Sequence, residues 1–186
     1  MQFPGQTFHV TQHGIGSTPI FPRARDCETF LRYLREEMAR SSWVCLGYAL
    51  MRTHYHLLIR LEKPTLSSGF QRLNSRYAAY YNREHGRRGA FFERRYRAVL
   101  IESAAHRFEA LRYIHLNALR AKACKRPEDH VWCDFGATMG LLPPDPIVDP
   151  EVSLAEFGED LDEARRRYGI YLREADVRVR RGQTRV

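Results

Sequence analysis

Two histidines stand two residues apart in the stretch His54-Tyr55-His56, inside an apolar run that ends at Leu61. Side chains alternate between the two faces of a β-strand, so both imidazoles would share one face and Tyr55 would lie on the other, buried one. Two imidazoles placed in this way can hold one metal ion. The alternative is a pair of surface histidines beside a core strand, and a motif this short needs its context to decide.

A second group of reactive side chains follows in a predicted helix over residues 104–122. Tyr113 and Asn117 are four residues apart, so they share a helix face beside the buried stripe. Two imidazoles and one amide oxygen would suit Mn²⁺, or Mg²⁺ that keeps some of its waters. A tyrosine hydroxyl can attack a phosphodiester and form a covalent phosphotyrosine. Taken alone, Tyr113 would be a core or interface residue, and Asn117 a residue that caps or hydrogen-bonds the helix.

The charge of the chain favours a nucleic-acid partner. The net charge is +8, and residues 1–142 carry 22 Lys and Arg against 12 Asp and Glu. Most of these cations are arginine, which pairs with phosphate through a planar fork and stacks on bases. Glycines, arginines and aromatic residues interleave over residues 85–97, as in loops that follow a nucleic-acid backbone. The alternative is a solvated basic loop. The predicted DNA contacts are Arg60, Arg87, Arg88, Arg94, Arg95 and Arg97.

The elements that must position these groups follow from hydrophobic periodicity. Strands are predicted over 6–13, 43–51, 54–61 and 96–102, and helices over 27–41, 66–84 and 104–122. The order β-α-β-β-α-β with an added helix predicts an α+β, ferredoxin-like split βαβ fold with a four-stranded antiparallel sheet. Helices would cover one face of the sheet and leave the other free for a site. His9 and His13, on the first strand, are either members of a site or surface histidines, and the second interpretation is preferred.

Length and composition suit one soluble domain with an appendage. No apolar run approaches the ~20 residues that span a bilayer. The beginning of the sequence does not have the pattern of a signal peptide, so we expect a cytoplasmic protein. Four scattered cysteines without a Cys-x-x-Cys pair indicate reduced, structural thiols rather than a zinc ribbon.

Composition divides the chain at the proline-rich segment Pro143-Pro144-Asp145-Pro146. Residues 1–142 would form the catalytic domain, and residues 143–186 a linker with a charged helical extension. A helix is predicted over 153–181, with acidic residues near its start and arginines near its end, as the helix dipole prefers. The arginine-rich end either contacts DNA or solvates the helix, and the sequence leaves both readings open.

These motifs together resemble the single-tyrosine His-hydrophobic-His (HUH, IS200-like) transposases, and most closely the REP-associated tyrosine transposases. The family shows Met-Pro-Asn-His-x-His-Leu-Leu, and this chain has Met-Arg-Thr-His-Tyr-His-Leu-Leu over residues 51–58. The family's Tyr-Ile-x-x-Asn-Pro-Val-Arg-Ala-Gly segment corresponds to residues 113–122. The resemblance covers roughly residues 3–135. It departs at Arg52-Thr53, Ala118 and Lys122, which belong to the frame around the site rather than to its reactive groups.

The resemblance implies Tyr113 as nucleophile, His54, His56 and Asn117 as ligands of Mg²⁺ or Mn²⁺, and single-stranded or hairpin DNA as substrate. It also implies a homodimer as one arrangement, since in some relatives a helix of one subunit serves the site of the other. Two alternatives stay open: a domesticated protein of the same fold that binds hairpin DNA without cutting it, and an RNA-binding module that is indifferent to metal.

Overall fold

Four antiparallel strands form one sheet in the computed structural model, which describes the backbone of residues 2–180 and the side chains of residues 2–174. The strands are β1 (Thr7–His13), β2 (Trp43–Met51), β3 (His54–Leu61) and β4 (Arg97–Ile101), in the order β2-β3-β1-β4. The link Arg52-Thr53 joins β2 to β3 as a tight hairpin. The two strands that carry histidines, β1 and β3, are therefore neighbours at the centre of the sheet. The predicted α+β architecture is confirmed.

Two long helices cover one face of the sheet, α1 (Ala24–Ser41) and α2 (Leu66–Glu84). The alternation of β3 places Tyr55, Leu57 and Ile59 against them, and all three are fully buried. The helix α1 begins three residues earlier than predicted. The carboxylate of Asp26 accepts a hydrogen bond from the backbone N–H of Arg23, so Asp26 lies inside the first turn.

A third helix, α3 (Ala104–His115), packs on the other face of the sheet, against β2 and β3. It approaches closely because β2 has a glycine there: a Cβ on Gly47 would lie 2.5 Å from Cδ1 of Leu111. The prediction that this face is free is therefore wrong over β2, which α3 covers, while a cavity remains beside β1 and β4. The predicted single helix over 104–122 is interrupted at Leu116, and a short helix, α4, spans Asn117–Arg120.

The C-terminal part packs onto the sheet rather than away from it. It contains α5 (Phe135–Thr138), α6 (Pro150–Leu154) and α7 (Leu161–Arg180). Ile147 and Val148 join the core under α1 and α2, and Tyr168 joins the core under α3. The helix predicted over 153–181 is wrong as a single element, because it is broken around Gly158. Its end at Arg181 lies outside the described residues, and the domain boundary at 143 stays a prediction.

The helices in the described part of the chain are either too short or too polar to cross a membrane.

Candidate active site

The two histidines of β3 open onto a cavity of about 370 Å³ on the face of the sheet that carries α3. The register of the sheet determines their neighbours. His13 on β1 lies opposite His54, and Thr11 lies opposite His56. His9, two residues before Thr11 on β1, also faces the cavity. Four imidazoles from two adjacent strands therefore meet on one face, because β1 and β3 both place every second side chain there.

The amide of Asn117, the first residue of α4, reaches the same histidines. Its Nδ2 atom lies 3.3 Å from Nε2 of His56, and the amide also interacts with the His54 side chain. Because an amide can rotate by half a turn, the same position presents either its nitrogen or its oxygen to the imidazoles. Rotated, the amide would place Oδ1 beside Nε2 of His56, where the two atoms could share a cation.

The Nδ1 atoms of His54 and His56 each lie within hydrogen-bonding distance of a threonine hydroxyl group. Oγ1 of Thr53 lies 3.1 Å from Nδ1 of His54, and Oγ1 of Thr11 lies 3.1 Å from Nδ1 of His56. Nε2 of His9 also lies 3.1 Å from Nδ1 of His56. A hydrogen bond from Nδ1–H determines the tautomer of a metal-binding histidine and leaves the Nε2 lone pair free. Thr53, which departs from the family's asparagine, supplies one of these partners.

The electrostatics of the site keep the imidazoles of His9, His54 and His56 neutral. Burial and the neighbouring histidines lower the pKa of His56 to about 2, and burial and His13 lower the pKa of His54 to about 4. Burial and the guanidinium of Arg97 lower the pKa of His9 to about 4. At neutral pH all three rings therefore carry lone pairs that can bind a cation, and no proton has to leave first.

Tyr113 stands at the edge of this group, half-buried and in the lining of the cavity. Its ring centroid is 5.3 Å from that of His56 and 5.8 Å from that of His9. The guanidinium of Arg120 lies over the Tyr113 ring at 5.5 Å. Tyrosine, histidine pair and asparagine thus come together within a single chain.

The donor set fits a divalent cation. Two neutral imidazoles with oriented Nδ1 atoms and one amide would hold Mn²⁺, or Mg²⁺ with part of its hydration shell, at His54, His56 and Asn117. A different cluster, His115, Cys133 and Asp134, brings its potential ligand atoms within 4.8 Å of one another. There the carboxylate already accepts hydrogen bonds from the Tyr48 amide and Thr138, so this buried cluster is satisfied as it stands.

A model of the family described as "Transposase IS200 like" matches residues 15–117, more than half of the chain. The chain belongs to the IS200-like transposase family. It is therefore a transposase-type DNA-processing protein. Among solved structures, the fold resembles a REP-associated tyrosine transposase bound to a REP hairpin. The TM-score is 0.66 and the sequence identity 14%, and the match covers 81% of this chain and 90% of that one. No curated protein matches the chain.

The arginines predicted to contact DNA lie in different parts of this IS200-like transposase. Arg97 lines the histidine cavity and forms no ion pair with an acid of the described residues. Arg94 and Arg95 line a separate cavity beside α2. Arg60 pairs with Glu62 on the surface, and Arg87 and Arg88 follow the end of α2. Of the six predicted contacts, only Arg97 is at the histidines. The roles of all six remain predictions.

Sequence reasoning missed several residues that line the site of the transposase. The interpretation as a surface histidine is wrong for His9, which is half-buried and contacts His56 directly; His13 is exposed, as interpreted, but it also lines the cavity. Their alternation on β1 was visible in the sequence, but the pairing of β1 with β3 was not. Thr11 and Thr53 carried no signal beyond their nearness to the histidines.

Proposed function

We propose that this IS200-like transposase cleaves and rejoins single-stranded or hairpin DNA through a covalent intermediate on Tyr113. The observation that carries the proposal is the 5.3 Å distance between the ring centroids of Tyr113 and His56 in one chain, beside an accessible cavity. The nucleophile and the candidate metal ligands are thus together without a second subunit. A homodimer is compatible with this site but is not needed to complete it.

In the proposed reaction, the Tyr113 oxygen forms a bond to the phosphorus of one DNA linkage, and the bond from phosphorus to one deoxyribose oxygen breaks. The tyrosine hydroxyl loses its proton, and the departing deoxyribose oxygen takes up a proton and becomes a hydroxyl. Rejoining is the same exchange with an incoming deoxyribose hydroxyl. The phosphodiester energy is kept in the protein–DNA bond, so no ATP is needed.

His54, His56 and Asn117 would hold the divalent cation, and Thr53, Thr11 and His9 would orient the two imidazoles. A bound cation would polarise the phosphodiester and offset the negative charge that develops during the attack. Arg97 enters the same cavity as an exposed cation and would position the DNA phosphate through its planar guanidinium.

Three observations support DNA as the substrate. The net charge is +8, and arginines lie at the cavity and along the segment from Arg94 to Arg97. The similar solved structure is a transposase bound to a hairpin. The cavity is lined partly by the exposed side chains of His13 and Arg97, so a flexible single strand can reach it from solvent.

The test is a cleavage assay with the full chain. Purified protein is incubated with Mn²⁺ or Mg²⁺ and labelled single-stranded DNA that carries the palindromic hairpins from beside its gene. We expect a covalent protein–DNA band on a denaturing gel that disappears with EDTA and in Tyr113→Phe. Tight binding without any band would instead establish the non-cleaving hairpin-binding protein, and equal binding of RNA would favour the RNA-binding module.

A further inference from the structure

A second cavity, of about 420 Å³, lies on the opposite face of the sheet, between α2 and the segment that leads into β4. Gln12 and Asn74 line it together with the aromatic rings of Phe92 and Tyr96. Two exposed arginines, Arg94 and Arg95, also belong to its lining. Polar amides, aromatic rings and arginines in one concave site are the combination with which proteins bind unpaired nucleotides.

The amide of Gln12 is fixed by the protein itself. Its Nε2 donates to the backbone oxygens of Arg94, at 2.9 Å, and of His13, at 3.2 Å. Since both partners are carbonyl acceptors, the nitrogen must face them and the Oε1 atom must face away. The residue is only 3% exposed, yet among the described residues its Oε1 has no hydrogen-bond partner. Gln12 therefore offers the cavity an accessible acceptor of fixed orientation.

The amide of Asn74 offers the complementary group. Its Oδ1 accepts a hydrogen bond of 2.7 Å from the hydroxyl of Tyr55, which is itself fully buried. The Nδ2 group is left without a partner among the described residues, and it is a donor. The cavity thus combines a fixed acceptor at Gln12 with a donor at Asn74, next to rings on which a planar group can stack.

Each nucleobase displays a donor beside an acceptor along its pairing edge, and its flat face stacks on aromatic rings. A bare phosphate would use the arginines but would be repelled by the Gln12 oxygen. We propose that this cavity binds one unpaired nucleobase of the DNA substrate, with the base edge on Gln12 and Asn74. The inference rests on the proposed function, because it takes DNA as the ligand.

The two cavities are close along the edge strand of the sheet. Arg94 lines the base cavity, and Arg97, three residues later, lines the histidine cavity on the other face. Three residues of extended chain span about 10 Å. A DNA strand that contacts both arginines could therefore place one base in the cavity of Gln12 and Asn74 and a phosphate near Tyr113, on the other face of the sheet. The base cavity would select where along an unpaired strand the cut is made.

The experiment measures binding without cleavage. Fluorescence anisotropy is recorded in EDTA with the full chain and a labelled DNA hairpin that carries single-stranded extensions. Each unpaired nucleotide is replaced in turn by an abasic one. In the wild type we expect one abasic position to weaken binding by about tenfold, the magnitude of one lost pair of base-edge hydrogen bonds. Asn74→Asp keeps an oxygen for Tyr55 but replaces the donor with an acceptor, and should abolish this sensitivity.

Two controls separate a base contact from charge and from folding. Ser68→Asp places the same negative charge at an exposed position of α2 outside the cavity lining, and should keep the abasic sensitivity. A hairpin without extensions should bind wild type and Asn74→Asp alike. If no abasic position matters, the cavity holds backbone phosphate only and the inference is overturned, while hairpin binding still stands. If the wild type binds no hairpin, the proposed function and this inference both fail.

Discussion

Nδ2 of Asn117 lies 3.3 Å from Nε2 of His56, although 61 residues separate the two in the chain. The break between α3 and α4 at Leu116 makes this contact possible. Asn117 is no longer part of the helix that carries Tyr113, and it starts a short helix of its own directly over the two histidines. The nucleophile and the third candidate ligand are thus positioned by separate elements.

Asn117→Ala should weaken metal binding because it removes one of three ligands. We expect the affinity for Mn²⁺ to fall about tenfold or more. This is at least the loss that follows when a residue that only orients a metal ligand is removed. Titration of Mn²⁺ followed by electron paramagnetic resonance measures this directly. Asn82→Ala, on the surface of α2, should bind Mn²⁺ like the wild type. Equal affinity in Asn117→Ala would remove this residue from the ligand set.

Thr11→Val should also lower the affinity for Mn²⁺, by about 10- to 100-fold, although Thr11 would not touch the ion. The substitution keeps the shape of the side chain and removes the hydroxyl 3.1 Å from Nδ1 of His56. Thr7→Val is the matched control, on the same strand and face and outside the cavity lining. If both variants bind Mn²⁺ equally well, the hydroxyl does not orient His56.

Without metal, the stability of the fold should fall as the pH drops below about 6.5. The pKa of His9 is lowered to about 4 and that of His56 to about 2. Between an unfolded pKa near 6.5 and these values, the unfolded chain binds protons that the folded chain does not. The free energy of unfolding therefore falls as the pH falls, by at most about 1.4 kcal/mol per pH unit for each histidine.

Urea unfolding in EDTA, measured from neutral pH down to about pH 4, checks this dependence. A double variant, His9→Gln with His56→Gln, should show a shallower loss of stability over the same range, since two of the groups that take up protons on unfolding are gone. The same slope in both proteins would mean that other groups, such as carboxylates, account for the acid sensitivity.

Tyr168→Phe should destabilise the protein by about 1–3 kcal/mol, because it leaves a buried ring nitrogen without a partner. The Tyr168 hydroxyl lies 2.9 Å from Nδ1 of His115, whose Nε2 lies 3.0 Å from the Asp134 carboxylate. His115 stands between Tyr113 and Asn117 in the sequence, so the rate of covalent DNA attachment should fall as well. Denaturing gels of samples quenched at successive times measure the rate of attachment, and urea unfolding measures the stability.

The matched control is Tyr171→Phe on the same helix. The Tyr171 hydroxyl bonds to the half-exposed carboxylate of Glu109, which water can solvate once the hydroxyl is gone. We expect a smaller loss of stability and an unchanged rate of attachment. Equal effects of the two substitutions would show that α7 contributes only general packing to the site.

Much of the fold could be predicted from the sequence because the strands alternate cleanly. The spans of β2 and β3 have the predicted bounds, since Trp43–Met51 and His54–Leu61 are apolar runs separated by a two-residue link. The interruption at Leu116 was not visible, because the apolar residues of 104–122 keep a helical spacing across it. Periodicity reports which face is buried, but it does not report whether the backbone hydrogen bonds continue.

The C-terminal segment shows that contacts between distant parts of the chain could not be predicted from the sequence. Pro143 to Pro146 has the composition of a linker, yet Asp145 accepts a hydrogen bond from the Tyr48 hydroxyl and Ile147 is buried in the core. Likewise, His9 and His13 joined the candidate site only through the register of β1 against β3. Contacts between distant segments depend on how elements pack, and a single sequence carries little information about that.

The most direct test of the central claim is mass spectrometry of the protein after reaction with hairpin DNA and Mn²⁺. The adduct is digested with nuclease and protease, and the peptide that carries a residual nucleotide is sequenced. We predict a phosphodiester on Tyr113 that requires Mn²⁺, is reduced in the Asn117→Ala variant and is absent from the His56→Ala variant. A nucleotide on another residue, or an adduct that forms equally well in EDTA, would contradict the proposed mechanism.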